Sequence, residues 1–290
     1  MTIWMNGSYV APEQATISVY DHGLLYGDGI FEGIRAYHGH IFRLKSHLDR
    51  LQDGAKALLL RIPLAIDAIA DQLRDAVARE AAAGNPDSYI RLVLTRGVGP
   101  LGLDPYGCDS PSLIIIVDRI RLYPAEYYQN GVPIISSSLR RNPPDSLDPR
   151  IKGLNYLNNI LAKIQARQVG AQEAILLNQQ GYVAECTGDN LVTVKHGRLR
   201  IPASHYGALE GITLQAVLEL AHDLDIAVET TGLTLYDVYT ADEVFLTGTG
   251  AELVPVCSVD GRPISPNGPI FRRLRQEFSH RIQQNSRWMD

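Results

Sequence analysis

Apolar residues recur along this chain with two different periods, and the period switches repeatedly. Thr2-Ile3-Trp4-Met5, a turn at Asn6-Gly7 and Ser8-Tyr9-Val10 predict a hairpin. Alternation predicts another strand over 30–37, and strongly apolar runs predict strands over 89–95 and 112–118. Spacings of three and four predict amphipathic helices over 43–60 and 64–83, the second stopped by Gly84-Asn85-Pro86. The stretch 96–105 is too rich in Gly and Pro to be regular. Further strands are expected over 132–138, 173–178, 182–186, 190–195, 199–201, 228–230 and 243–247, and helices over 155–169, 212–223 and 269–284. The two kinds of element are interspersed without a regular βαβ rhythm, so the fold class is α+β.

An aromatic stretch at 122–130, carrying Tyr123, Tyr127 and Tyr128, reads as a linker between a small N-terminal domain, 1–121, and a larger domain, 131–290. A length of 290 residues accommodates two such cores. With 45% hydrophobic and 20% charged residues the composition is that of a soluble globular protein, and a net charge of −5 leaves no footprint for nucleic acid or an anionic membrane. Cys108, Cys186 and Cys257 are widely spaced without a CxxC pair, which argues against a metal site and a disulfide framework and fits a reducing compartment. No basic segment leading into an apolar run opens the chain, and no apolar stretch approaches a membrane span, so a cytoplasmic location is expected.

Candidate chemistry starts from the lysines, of which there are five: Lys45, Lys56, Lys152, Lys163 and Lys195. Lys152, between Ile151 and Gly153, alone lies outside a helical face or a hairpin turn. A desolvated lysine loses affinity for its proton, and the neutral amine can attack a carbonyl to form a Schiff base; a surface lysine near a loop is the competing reading. Gly211-Ile212-Thr213 offers N–H groups at a helix start, and Thr247-Gly248-Thr249-Gly250 offers more in a tight turn. With an arginine these can cradle a phosphate, or the threonines can simply be caps. Glu185, at a strand end, can hold a proton on a pyridine nitrogen or can be a solvated acid. Tyr89 and Arg91 share a strand face, where they can bind a carboxylate or form an exposed edge.

Five segments decide between these alternatives: Tyr26-Gly27-Asp28-Gly29-Ile30-Phe31-Glu32-Gly33-Ile34-Arg35-Ala36-Tyr37, Lys152-Gly153-Leu154-Asn155-Tyr156-Leu157-Asn158-Asn159, Glu185 through Asn190, Gly211-Ile212-Thr213, and Gly248-Thr249. In order and spacing they resemble fold-type IV aminotransferases, which depend on pyridoxal 5′-phosphate (PLP), over nearly the whole chain. Phe31-Glu32-Gly33-Ile34-Arg35 together with Tyr89-Ile90-Arg91 is most similar to the branched-chain amino acid aminotransferases. The resemblance implies a two-domain α+β fold of the D-amino acid aminotransferase type, with a small N-terminal α/β sandwich and a larger, β-rich C-terminal pseudobarrel domain with helices. It implies a homodimer or larger homo-oligomer running ping-pong transamination between branched-chain L-amino acids (Leu, Ile, Val) and 2-oxoglutarate. D-amino acid or (R)-amine transamination and aminodeoxychorismate lyase activity are the alternatives on the same fold.

The resemblance also assigns roles. Lys152 holds PLP as a Schiff base and then acts as general acid and base, while Glu185 pairs with the pyridine nitrogen. Arg50, Ile212, Thr213 and Thr249 bind the phosphate, and Tyr156 bonds the phenolate oxygen. Tyr89 and the turn through Gly248 and Gly250 take the substrate α-carboxylate. Phe31, Gly33 and Tyr156 line an apolar pocket, and Tyr26 belongs to the same substrate set. Arg91 reaches a distal carboxylate, with Arg35 as runner-up. Leu214 stands where arginine commonly follows Gly-Ile-Thr, and Gly250 where alanine is usual.

Overall fold

Two mixed units build the protein, and the structure, a computed structural model, describes residues 1–120, 122–284 and 288–289. The first unit contains β1 (Thr2–Met5), β2 (Ser8–Val10), α1 (His22–Tyr26), β3 (Gly29–Tyr37), β4 (His40–Ile41), α2 (Leu44–Ala57), α3 (Ile66–Ala82), β5 (Ser88–Val98) and β6 (Ser110–Asp118). Its strands pair antiparallel in the order β2-β1-β6-β5-β3-β4. Alternation sends Ile30, Ile34, Ile90, Leu92, Leu94 and Ile115 to one sheet face, where the apolar stripes of α2 (Leu48, Leu51) and α3 (Ile69, Leu73) cover them. Each such side chain contributes about 1.5–3 kcal/mol through burial. The other face carries Phe31, Gly33 and Arg35 beside Val93, Arg91 and Tyr89, their partners in the β3–β5 register.

The second unit contains α4 (Ala125–Asn130), β7 (Val132–Arg140), α5 (Leu157–Gln168), β8 (Glu173–Leu177), β9 (Val183–Cys186), β10 (Asn190–Lys195), β11 (Arg198–Pro202), α6 (Ile212–Asp223), β12 (Val228–Thr231), α7 (Leu235–Tyr239), β13 (Glu243–Gly248), β14 (Glu252–Val259), β15 (Arg262–Pro263) and α8 (Pro269–Gln283). Its strands run β12-β11-β10-β13-β14-β7-β8-β9, with β15 on β14. The β14–β7, β7–β8 and β11–β12 pairs are parallel. Among the described residues, no helix is long and apolar enough to cross a membrane.

The chain does not pass from one unit to the other only once. Ile151–Asn155 belongs with the first unit, whereas residues 122–150 and 156–284 form the second. The stretch 122–130, expected as a linker, carries α4, and Tyr123 is buried in the second unit's core. Helices α1 and α7 and strand β14 are among the elements that escape the sequence pattern. Helix α1 lies in the glycine-bearing segment 18–37, where the Asp21 side chain accepts from the Gly23 N–H and Gly27 closes it at φ 70°. Helix α7 is opened by a Thr234–Asp237 capping box. Strand β14 is interior despite Pro255, which ordinarily demotes a strand. Pro255 pairs with Phe245 on β13 and lies one residue before the ladder to β7 begins at Val256, so its missing N–H breaks no bond on the β7 side.

Candidate active site

In the first unit, the Lys152 segment is added to β3 as a short extra strand. The Phe31 N–H donates to the Lys152 carbonyl at 3.0 Å, and the Leu154 N–H donates to the Gly29 carbonyl at 3.0 Å. An antiparallel bridge joins Ile30 and Gly153 between them. Gly29 suits this approach, because a Cβ there would lie 2.6 Å from Leu154 Cδ1. The ladder brings Lys152, which is half-buried, to the ring of Phe31, with Nζ 4.7 Å from its centroid. The Arg91 guanidinium carbon lies 4.4 Å from the same centroid and 5.5 Å from that of Tyr89. The Tyr89 hydroxyl lies over Gly33, where a Cβ would come within 2.0 Å of it. Lys152, Phe31, Gly33, Tyr89 and Arg91 are thus brought together. Arg35, opposite Tyr89 on β3, stacks on Tyr37 at 5.2 Å. Tyr26 is half exposed at the end of α1; its hydroxyl accepts from the Gly102 N–H at 2.9 Å and its ring meets His22 edge-on.

Glu32, on the core face of β3, is fully buried. Arg50 donates to it from Nε at 2.8 Å and from Nη2 at 2.7 Å, and His47 Nδ1 lies 2.7 Å from Oε2. Burial alone pushes the Glu32 carboxyl up, but the charge of Arg50 and the hydrogen bonds from Arg50 and His47 bring it down to about 2. Burial also holds the His47 imidazole below its ordinary value against the pull of Glu32, so His47 is neutral and donates Nδ1–H to the carboxylate.

In the second unit, Glu185 is buried at the end of β9. Oε1 accepts from Arg141 Nη2 at 2.7 Å, and Oε2 accepts from the Leu209 N–H at 3.0 Å and Asn190 Nδ2 at 3.3 Å. Arg141 is itself clamped, donating to Asn159 Oδ1 at 2.7 Å and to the Gly207 carbonyl at 3.2 Å. A buried carboxylate survives as an ion only with such partners. Asn190 also ties this network to the start of α6: its Nδ2 donates to the Leu209 carbonyl at 2.9 Å, and a Cβ on Gly211 would lie 1.9 Å from its Oδ1. Thr213, in the first turn of α6, is buried, and its hydroxyl has no hydrogen-bond partner among the described residues. The Thr247 hydroxyl, at the end of β13, is in the same condition. A buried unpaired hydroxyl costs about 1–3 kcal/mol. The Thr213 hydroxyl, in the first turn of a helix whose leading N–H groups have no intrahelical acceptor, fits an anion such as a phosphate. Thr249 and Gly250 occupy the turn after β13, and Tyr156 is the N-cap residue of α5. Leu214 faces a cavity of about 200 Å³ with Leu191, Ile201, Leu209 and Leu218.

Two acids, Glu173 and Asp189, lie close to each other at the 187–189 loop. Glu173 accepts from the Thr187 N–H at 3.1 Å and from Lys163 at 3.0 Å, and the Tyr123 hydroxyl donates to Asp189 at 3.1 Å. Burial and the nearby Glu173 charge push the Asp189 carboxyl up to about 7. A Cβ on Gly248 would lie 2.0 Å from Asp189 Oδ1, so this loop and the Gly248 turn fit only with a glycine there. The pattern of the sequence did not single out Glu32, His47, Arg141, Asn159 or Asp189. The available signal was a need for counter-charge: an acid on the apolar face of β3, and a second acid at the end of a wholly buried β9.

Comparison with known proteins identifies the family and the fold. The family model for class IV amino-transferases matches residues 29–259. A Methanocaldococcus jannaschii protein provisionally named a branched-chain-amino-acid aminotransferase is 48% identical over 96% of this chain and 95% of its own. The crystal structure of the Escherichia coli branched-chain amino acid aminotransferase superposes with a TM-score of 0.95 at 35% identity, covering 100% of this chain and 98% of that one. The T.th. branched-chain amino acid aminotransferase, complexed with N-(5′-phosphopyridoxyl)-L-glutamate, gives 0.91 at 36% identity, covering 100% and 97%.

Proposed function

The chain belongs to the class IV aminotransferases, and we propose that it transfers amino groups between the branched-chain L-amino acids and 2-oxoglutarate, with PLP as carrier, as a cytoplasmic homodimer or larger homo-oligomer. The cofactor supplies an electron sink and a carbonyl that receives and returns the amino group. Lys152 would hold it covalently, and its amine would move the proton at the substrate α-carbon. Glu185, paired with Arg141 at 2.7 Å, would face the ring nitrogen and hold a proton there, a preorganised charge. Arg50, the N–H groups at Ile212 and Thr213, the Thr213 hydroxyl and Thr249 would bind the phosphate, and Tyr156 would bond the ring oxygen. Tyr89 and the Gly248–Gly250 turn orient the substrate carboxylate. Phe31, Gly33 and Tyr156 surround an aliphatic side chain, with Tyr26 at its margin. Arg91 meets the distal carboxylate of glutamate or 2-oxoglutarate, and Arg35 supports that face.

The observation that carries this reading is the Lys152 amine held beside the Phe31 ring, with Tyr89 and Arg91 on the same sheet face. An amine, an aliphatic platform and two carboxylate-binding groups suit an enzyme that takes both leucine-like and glutamate-like substrates. The test is a half-reaction screen with amino acids of both hands, following conversion of the bound cofactor from its aldehyde to its amine form. Leucine, isoleucine, valine and glutamate of the L series are expected to convert it, and D-amino acids are not. Lys152→Ala is expected to abolish turnover and the borohydride-reducible adduct. A fully active Lys152→Ala variant overturns the assignment.

A further inference from the structure

We infer that Glu32 is a positioning residue: it fixes how the Arg50 guanidinium meets the cofactor phosphate, an inference that rests on the phosphate role proposed for Arg50. On the core face of β3 the neighbours of Glu32, Ile30 and Ile34, are apolar and fully buried, and the alternation calls for a third aliphatic residue between them. A carboxylate in that place is costly unless it is paired and used. Both of its oxygens are engaged by Arg50, through Nε and Nη2 at 2.8 and 2.7 Å. Such a two-point fork fixes the plane and the rotation of a guanidinium, which a single hydrogen bond does not. His47 Nδ1, 2.7 Å from Oε2, pins the carboxylate in turn. His47 and Arg50 are three residues apart on α2, so one helix face delivers both donors to one acid. The Arg50 side chain keeps 14% exposure while that of Glu32 has none, so the arginine is the member of the pair that reaches a ligand.

Two physical effects of Glu32 on a phosphate oppose each other. Its negative charge lowers the potential that the phosphate meets, whereas its fork removes the rotational freedom of a long side chain. Orientation prevails here, because the fork holds the guanidinium at both carboxylate oxygens, 2.8 and 2.7 Å away.

The experiment compares PLP with pyridoxal, which shares the aldehyde but lacks the phosphate, on the full-length chain freed of cofactor and titrated with each. Glu32→Gln is expected to raise the Kd for PLP relative to that for pyridoxal by about 10–100-fold, the range for losing a residue that orients a ligand-binding group. Glu32→Asp, which keeps the charge but shortens the reach, is expected to shift the same ratio in the same direction and covers the case in which the glutamine variant does not fold. In an Arg50→Ala background, Glu32→Gln is expected to add no further change to the ratio. Equal weakening toward both ligands would mean that Glu32 is only structural. An unchanged or tighter PLP affinity would mean that its charge, not its fork, is what the phosphate senses. If Arg50→Ala itself leaves the ratio unchanged, the phosphate role of Arg50 fails; if Arg50→Ala shifts it and the Glu32 variants do not, the present inference fails alone.

Discussion

Phe31 is the meeting point of two basic side chains, with Lys152 Nζ at 4.7 Å and the Arg91 guanidinium at 4.4 Å from its ring centroid. An aromatic face attracts both at modest energy, so each can leave it for a better partner. A carboxylate suits Arg91, whose planar fork matches it. Under the proposed function, an aliphatic substrate leaves Arg91 on Phe31 and Tyr89, where it already lies. Arg91→Ala is therefore expected to weaken glutamate and 2-oxoglutarate by about 2–5 kcal/mol in specificity, the range for breaking a buried charge pair, while largely sparing leucine and its keto acid. Measuring both half-reactions on the variant checks this: equal losses would make Arg91 structural. At this scale the sequence was informative wherever chemistry follows from residue type and strand parity, as for Tyr89 and Arg91. It was silent on Arg141, whose task is to neutralise Glu185, forty-four positions away.

Single elements are joined to one another through glycines that leave room for a neighbour's polar side chain. Gly211 has φ −69°, which any residue adopts, so its requirement is spatial rather than conformational. A Cβ there would lie 1.9 Å from Asn190 Oδ1, displacing the amide that links Glu185 to the start of α6. Gly211→Ala is expected to destabilise the protein by about 1–3 kcal/mol, the usual cost of overpacking. Asn190→Ala should remove most of that penalty, and thermal unfolding of the two single variants and the double variant measures the coupling. An additive double variant would show that Asn190 yields easily. The boundaries of the long elements were legible because their apolar period is sustained: 212–223 was read from the pattern and is α6 to the residue. Strand β14 was not, because a proline's cost depends on whether its particular N–H would have been used, and only the ladder shows that.

Two buried carboxyl groups give the whole molecule opposite responses to pH. Glu32 lies at about 2 in the fold against an ordinary 4.5, so its contribution is complete above about 4.5 and is lost as pH falls toward 2. Asp189 lies at about 7 against an ordinary 3.8, so the folded state holds a proton that the unfolded chain has released. Stability from this group therefore declines as pH rises from about 3.8 to about 7. Asp189→Asn, which keeps the neutral shape and an acceptor for Tyr123, is expected to match the wild type near pH 4 and to gain on it progressively up to about pH 7. Denaturation at a series of pH values checks this, and a difference independent of pH would mean that Asp189 is ionised in the fold.

The sequence by itself determined the α+β class, the register of apolar faces, the lysine that stands apart from the others and, through resemblance, the family. Those features depend on local period, on residue chemistry and on segments that keep their order along the chain. Only the tertiary structure decided that Ile151–Asn155 returns to the first unit and that residues 152–154 align on β3, because strand addition depends on which edge is left open. It alone decided which acids are ionised: Glu32 and Asp189 are both buried carboxylates, but one faces Arg50 and the other faces Glu173. A charge is stabilised or suppressed by groups within a few ångströms, and proximity in space is what a linear pattern does not carry.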